Sequence, residues 1–212
     1  FTFIICWIAG FCSVCLLCLY QPFMELWVGK DLMLSLSAVI CFVVYFFVRQ
    51  LNALLNMYKD ASGMWHEDRL RPLVAALTNL VLNLILVQFI GIYGILISTV
   101  VAIICVGMPW LLHNLFTVVF ERKFLADYLK SLLYYCAIVF ISCILTYCIC
   151  SKVNIGLIAT LLIRGVVCVI VPNFMYFVVY MRKSEFKDSL SLVNNMTKGR
   201  FKGALKKFEM QE

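Results

Sequence analysis

Residues 72–120 read PLVAALTNLVLNLILVQFIGIYGILISTVVAIICVGMPWLLHNLFTVVF and contain no Asp, Glu, Lys or Arg. As a single helix this stretch would be roughly 70 Å long, whereas the hydrocarbon core of a bilayer is about 30 Å thick. The stretch therefore has to fold back on itself. Gly91-Ile92-Tyr93-Gly94 separates two apolar runs that are each long enough to cross a membrane, and glycine tolerates turn geometry. We predict a helical hairpin that turns at this tetrapeptide.

The whole chain shares this apolar character. Of its 212 residues, 64% are hydrophobic and 14% are charged, and the mean hydropathy is +0.99. Soluble domains are about a quarter charged, so this chain has too little polar surface to cover a water-soluble globule. The composition predicts an all-α, polytopic membrane protein.

Uncharged runs predict six transmembrane helices within residues 1–181. The expected spans are about 1–20, 33–57, 72–90, 93–118, 131–151 and 155–181. Residues 182–212 follow as a basic tail. The chain starts inside an apolar run without an initiator Met or a signal peptide, so we expect it to be a piece of a longer protein.

The basic residues predict the orientation, because Lys and Arg are retained in cytoplasmic loops. Fourteen of them lie in the tail and in the loops on its side, whereas only Lys30 and Lys152 lie on the other side. We therefore predict a cytoplasmic tail. Its apolar residues recur at helical spacing, which fits either an amphipathic helix on the anionic inner leaflet or an ordinary solvated tail: Phe186, Leu190, Val193, Phe201, Leu205 and Phe208.

The eleven cysteines all fall within predicted spans or at their ends, where we expect them to pack as small apolar residues. A zinc site would need further Cys or His ligands at finger spacing, and the only histidines, His66 and His113, lie in different segments. The sequence also lacks a phosphate-binding loop and a nucleophile elbow. We therefore predict no metal, no cofactor and no catalytic centre. The basic tail is typical of membrane topology, so we expect no nucleic-acid partner.

Two arginines, Arg49 and Arg164, interrupt the predicted spans, which contain no Asp or Glu. A charged side chain in the middle of a membrane costs a few kcal/mol, so such residues tend to face a cavity. Guanidinium groups without carboxylate partners attract anions and suit bidentate contact with phosphate. Helical rotation places Tyr45, Asn52 and Asn56 on the face of Arg49. We predict that these five residues line an anion-binding cavity.

Other interpretations of these polar residues stay open. Arg49 can instead reach towards the cytoplasmic interface, although the stretch is about two helical turns. Arg164 can pair with an acidic residue in a part of the protein outside this chain. Asn79 and Asn83 lie four residues apart, and we favour an interhelical hydrogen-bonding role for them.

Three stretches resemble a known family. Residues 58–83 read YKDASGMWHEDRLRPLVAALTNLVLN, residues 90–94 read IGIYG and residues 109–116 read PWLLHNLF. They resemble the second half of bacterial polysaccharide exporters of the oligosaccharide flippase family. That superfamily also contains lipid II flippases and the multidrug and toxin extruders. The resemblance extends over essentially the whole chain and is strongest from Tyr58 to Phe116.

The resemblance implies a protein of two six-helix bundles in the bacterial cytoplasmic membrane, of which this chain is the second bundle with its tail. Such proteins move undecaprenyl-pyrophosphate-linked oligosaccharide across the membrane without covalent chemistry, so we expect no enzyme. The implied partners are the lipid-linked oligosaccharide, membrane lipid, the N-terminal bundle and a polysaccharide polymerase. Arg49 lies on the span that would carry a pyrophosphate-binding arginine. The resemblance also implies a cytoplasmic gating loop that contains Asp60, Gly63, Asp68, Arg69 and Arg71.

Two alternatives remain from the sequence. A drug or cation antiporter of the same superfamily would normally need a carboxylate within a span, and the predicted spans have none. A membrane enzyme that acts on lipid-linked sugars would have to use the cluster His66-Glu67-Asp68.

Overall fold

A computed structural model describes residues 1–181 and 183–196, and this part of the chain contains helices and turns but no strand. Six of its helices are long and apolar enough to cross a membrane. We label them α1 to α6, and a shorter helix, α7, follows them. The bounds are α1 Thr2–Val28, α2 Leu36–Ala61, α3 Arg71–Ile90, α4 Ile92–Val119, α5 Leu125–Ser151, α6 Leu157–Tyr180 and α7 Ser184–Met196. The predicted all-α fold with six apolar helices is confirmed.

The predicted hairpin joins α3 to α4 through a single residue, Gly91, whose φ of +57° and ψ of −133° are unfavourable for residues with a side chain. Gly94 has a second role. A Cβ atom there would lie 2.6 Å from the carbonyl carbon of Leu86 and 2.7 Å from the nitrogen of Val87. The two glycines therefore fix both the turn and the close approach of the helices.

Helix α4 is not uniform. Two π-helical segments, Ile103–Gly107 and Leu115–Val119, flank the α-helical turns of Met108–Asn114. Pro109 lies just after the first segment, and a proline inside a helix lacks a donor and clashes with the preceding turn. A widened π-helical turn accommodates this clash within one continuous helix.

Helix α1 contacts α2, α5 and α6, while α4 contacts both α2 and α3. Buried side chains form three clusters. One joins α1, α5 and α6 near the start of α1 and includes Phe3, Tyr135 and Tyr176. A second joins the end of α2 to α4, and a third joins α1, α5 and α6 through Val14 and three cysteines.

The outer surface is strongly apolar. On α3, only Arg71 is buried, and Phe89, Phe140 and Phe174 are 77%, 67% and 67% exposed. An exposed apolar surface of this extent is unstable in water and is normal in lipid. The fold therefore agrees with a membrane protein.

Some element ends differ from the predictions. Helix α5 begins at Leu125, and α1 continues to Val28, so Asp127 and Glu25 belong to helices. In the predicted tail, Phe186 stacks on Trp7 of the bundle at a centroid distance of 6.2 Å. The side chain of Val193, together with Phe201, Leu205 and Phe208, lies outside the described residues.

Candidate anion-binding site

Arg49 lies at the middle of α2, and its side chain is exposed. Its Nη1 donates a hydrogen bond of 3.2 Å to the hydroxyl oxygen of Tyr45, and the guanidinium carbon lies 6.0 Å from the centre of the Tyr45 ring. Because Tyr45 precedes Arg49 by four residues, one turn of helix brings the two side chains together. Within residues 1–181 and 183–196, Arg49 forms no salt bridge with a carboxylate.

An open cleft of about 670 Å³ extends from Arg49 along α2, and Ile103 of α4 contributes to its wall. Asn52 and Asn56 lie along the same wall, as the helical spacing predicted. Tyr45 lines a neighbouring groove instead. The far end of the cleft is acidic, because Asp60 lines it. Asp60 lies about 16 Å from Arg49 along the helix axis. Asp60 pairs with Lys59 at 2.9 Å, which leaves Arg49 as the uncompensated charge of the cleft wall.

The Oδ1 atom of Asn52 is buried and has no hydrogen-bond partner in the described part of the chain. It faces the first π-helical segment, because a Cβ atom at Gly107 would lie 3.5 Å from it. Buried polar atoms without partners are uncommon, and π-helical turns occur often at functional sites. One turn of α2 thus holds a cation without a carboxylate partner and an amide oxygen without a donor in the described part of the chain.

Asn56 has a different environment, since both ends of its amide are already bonded. Its Nδ2 donates to the carbonyl oxygen of Asn52 at 2.8 Å, and its Oδ1 accepts from Arg71 Nη2 at 2.8 Å. Arg71 also binds both oxygens of Asp68, through Nε at 2.6 Å and Nη2 at 2.8 Å. Lys59 Nζ lies 3.6 Å from the same carboxylate. We call Asn56, Lys59, Asp68 and Arg71 the charge cluster.

The charge cluster joins the end of α2 to the start of α3, and it is nearly shielded from solvent. Lys59, Asp68 and Arg71 are 8%, 3% and 8% exposed. The loop is also tied to α4, because Asn114 Nδ2 donates to the carbonyl oxygen of Glu67 at 3.2 Å. Of the other predicted gating residues, Asp60, Gly63 and Arg69 are exposed.

Arg164 lies outside the cleft, on α6. Its Nη2 donates to the carbonyl oxygen of Val153 at 3.0 Å, while its Nε is buried without a hydrogen-bond partner among the described residues. The structure therefore does not bring the two arginines into one site. Arg49, Asn52 and Asn56 share a cleft, and Arg164 has a separate environment.

The remaining candidates lie elsewhere. Asn79 and Asn83 bind each other at 3.3 Å and accept hydrogen bonds from Thr99 and Ser98 of α4, so their predicted interhelical role is confirmed. His66 and Glu67 are exposed, whereas the neighbouring Asp68 belongs to the charge cluster. The pairing of Arg71 with Asn56 has no signal in the sequence, because it depends on how α2 meets the loop.

Comparisons with protein-family models, with curated proteins and with solved structures find no match to this chain. The resemblance to oligosaccharide flippases therefore stays a prediction from the sequence motifs.

Proposed function

We propose that this chain is part of a transporter that moves a lipid-linked oligosaccharide across a membrane and holds its pyrophosphate near Arg49. The observation that carries the proposal is an exposed guanidinium without a carboxylate partner in the described residues, at the middle of an apolar helix. A cation at this depth costs a few kcal/mol, and an anionic ligand would offset that cost. The six apolar helices and the family resemblance support the same class of function.

The dimensions of the cleft support a headgroup ligand. A volume of about 670 Å³ falls within the roughly 300–1,000 Å³ that is typical of small-molecule sites. Arg49 would supply two donors to a pyrophosphate oxygen pair, and Nδ2 of Asn52 would donate to a neighbouring phosphate or sugar oxygen. The lipid tails would remain in the bilayer while the polar part crosses through the cleft.

The charge cluster supports a rigid-body mechanism of transport. Paired charges that connect α2, the loop and α3 keep the ends of these helices together, so this part of the bundle would move as one unit. In transporters built from repeated bundles, access alternates when one bundle rocks against another around a fixed site. We propose the same motion here, with Arg49 near the pivot.

A second candidate function is that of a drug or cation antiporter. A second cavity favours this function. A pocket of about 640 Å³ lies near the start of α5, and its wall combines aromatic rings with the carboxylates of Asp127 and Glu185. Such a wall suits a cationic amphiphile through charge pairing and cation–π contact. The carboxylates lie near helix ends, however, and Asp127 already pairs with Lys130 at 3.3 Å.

Substitution of Arg49 in the full-length protein tests the proposal. We expect Arg49→Ala to reduce surface polysaccharide at least tenfold in cells that depend on this protein, because the anion loses its main partner. Arg49→Lys should retain part of the export, since it keeps the charge but loses the planar fork. Arg122→Ala is the matched control, because Arg122 is exposed and lies outside both cavities.

The same strains distinguish the two functions. Protein levels are measured by immunoblotting, and efflux of a cationic dye is recorded beside polysaccharide. Normal export by Arg49→Ala at normal protein level would refute the flippase proposal. Dye efflux that Asp127→Asn and Glu185→Gln abolish would support the antiporter instead.

A further inference from the structure

Three cysteines from three different helices meet in the interior of the bundle. The Sγ atoms of Cys18 on α1, Cys150 on α5 and Cys168 on α6 all lie within 4.8 Å of one another. Their side chains are fully enclosed, with exposures of 2%, 1% and 0%. Cys15 lies nearly one turn before Cys18 and contacts Cys168. We call Cys18, Cys150 and Cys168 the thiol cluster.

Arg164 is a charged residue near the thiol cluster. It precedes Cys168 by four residues on α6, so the two side chains share a face of the helix, and it interacts electrostatically with Cys150. Its Nε is buried and has no hydrogen-bond partner in the described segments, and its Nη2 donates to a neutral carbonyl. Arg164 is half-buried and has no carboxylate partner in the described segments, and the nearby groups that can become anionic are thiols.

We propose that the thiol cluster binds one soft monovalent cation of the Cu(I) or Ag(I) class, with Arg164 as the positive residue that balances the site. Sulfur ligands select soft cations, whereas Mg²⁺ and Ca²⁺ prefer oxygen. The proposal is independent of the flippase function, because the thiol cluster lies outside the cleft that contains Arg49.

Charge balance favours a monovalent ion. Two thiols bind as thiolates and release their two protons to solvent, while the third sulfur coordinates as a neutral thiol. Two thiolates and one monovalent cation carry a net charge of −1, and Arg164 cancels it. The complete site is then neutral, as burial in an apolar bundle requires. Packing alone explains why the cysteines are buried, but it leaves Arg164 without a counter-charge.

The ion would also link three helices that come from distant parts of the sequence. Cys18 lies well over 100 residues before Cys150, so a shared ligand crosslinks α1 to the hairpin of α5 and α6. A ligand that binds only the folded state stabilises it by mass action. We therefore expect Cu(I) to raise the melting temperature of the protein.

The test uses the purified, reduced full-length protein and Cu(I) supplied from its bathocuproine complex. We expect one Cu(I) per chain and an all-sulfur X-ray absorption spectrum. Cys168→Ser should weaken binding by about 100-fold or more, because a soft sulfur ligand is lost. Arg164→Gln should weaken it by about 10- to 100-fold, as is typical of residues that support a metal site. Cys148→Ser is the matched control, since Cys148 is an exposed cysteine of α5.

The wild-type measurements do not depend on whether a variant folds. The proposal would be overturned if the reduced wild type bound no Cu(I) in this competition. Binding that Cys148→Ser weakens as much as Cys168→Ser would also overturn it, because the ion would then be held by exposed thiols.

Discussion

Charged residues of α2, the loop that follows it and the start of α3 include two contrasting kinds. Lys59, Asp68 and Arg71 are buried, and their opposite charges meet within the charge cluster. Arg49 is exposed and its bonded neighbour is the neutral Tyr45. Buried charges are tolerated when they are paired, and a lone charge is tolerated where solvent or a ligand reaches it. This contrast separates residues that hold the helices together from the residue that we propose for binding.

The charge cluster predicts a large effect of substitution at Asp68. Asp68→Asn leaves the buried guanidinium of Arg71 without a carboxylate partner, while Lys59 keeps Asp60, and the loss should cost about 3 kcal/mol of stability. For a chain of this size that corresponds to a fall in melting temperature of roughly 6–12 °C. The measurement is thermal unfolding of the purified protein in detergent.

Asp127→Asn provides the control for this prediction. Asp127 also pairs with a lysine, but the side chains of Asp127 and Lys130 are 73% and 77% exposed, so the melting temperature should hardly change. Equal melting temperatures for the two variants would show that the charge cluster does not stabilise the fold.

For individual residues, the sequence predicts which side chains share a face of one helix. It does not predict which side chains meet between two helices. The shared face of Arg49, Asn52 and Asn56 follows from the helical repeat. The bond between Asn56 and Arg71 does not, because it requires the geometry of the loop. The thiol cluster has no signal in the sequence for the same reason, since its cysteines are adjacent only after three helices pack.

Among the elements, the hairpin of α3 and α4 is the part that local sequence determines most directly. The absence of charge over residues 72–120 fixes its length, and Gly91 fixes its turn. Helix α5 begins before the predicted span of about 131–151, and Asp127 and Lys130 lie in its first turns. Hydropathy indicates which residues lie in lipid, and a helix can extend beyond that region into the interface.

Gly94→Ala should destabilise this hairpin by about 1–3 kcal/mol, because the new methyl group would press against the backbone of Leu86 and Val87. The helices must separate, which would also lengthen the bonds of Asn79 and Asn83 to α4. Thermal unfolding and hydrogen exchange of α3 measure the effect.

Gly165→Ala is the matched control for the hairpin. Gly165 is also helical, but a methyl group added there would have no neighbour within 4 Å outside its own helical backbone, so alanine should be neutral or slightly stabilising. If Gly94→Ala were as stable as Gly165→Ala, the close approach of α3 and α4 would not be required.

For the whole molecule, an apolar exterior is interrupted by an open cleft whose wall carries one unpaired cation among the residues that the structure describes. The outward faces of α3, α5 and α6 are apolar, as a lipid environment requires. The cleft between α2 and α4 is open, so a ligand can reach Arg49 without unfolding a helix. The central claim is that this cation binds the anionic headgroup of a lipid-linked substrate.

The most direct measurement is the affinity of the full-length protein in nanodiscs for farnesyl pyrophosphate, a short lipid with the proposed headgroup. We predict saturable binding that Arg49→Ala weakens by roughly 10- to 150-fold, as the loss of a charged hydrogen bond would do. Farnesol, which lacks the pyrophosphate, should bind far more weakly, and Arg122→Ala should bind like the wild type. Equal affinity of the wild type and Arg49→Ala for farnesyl pyrophosphate would contradict the claim.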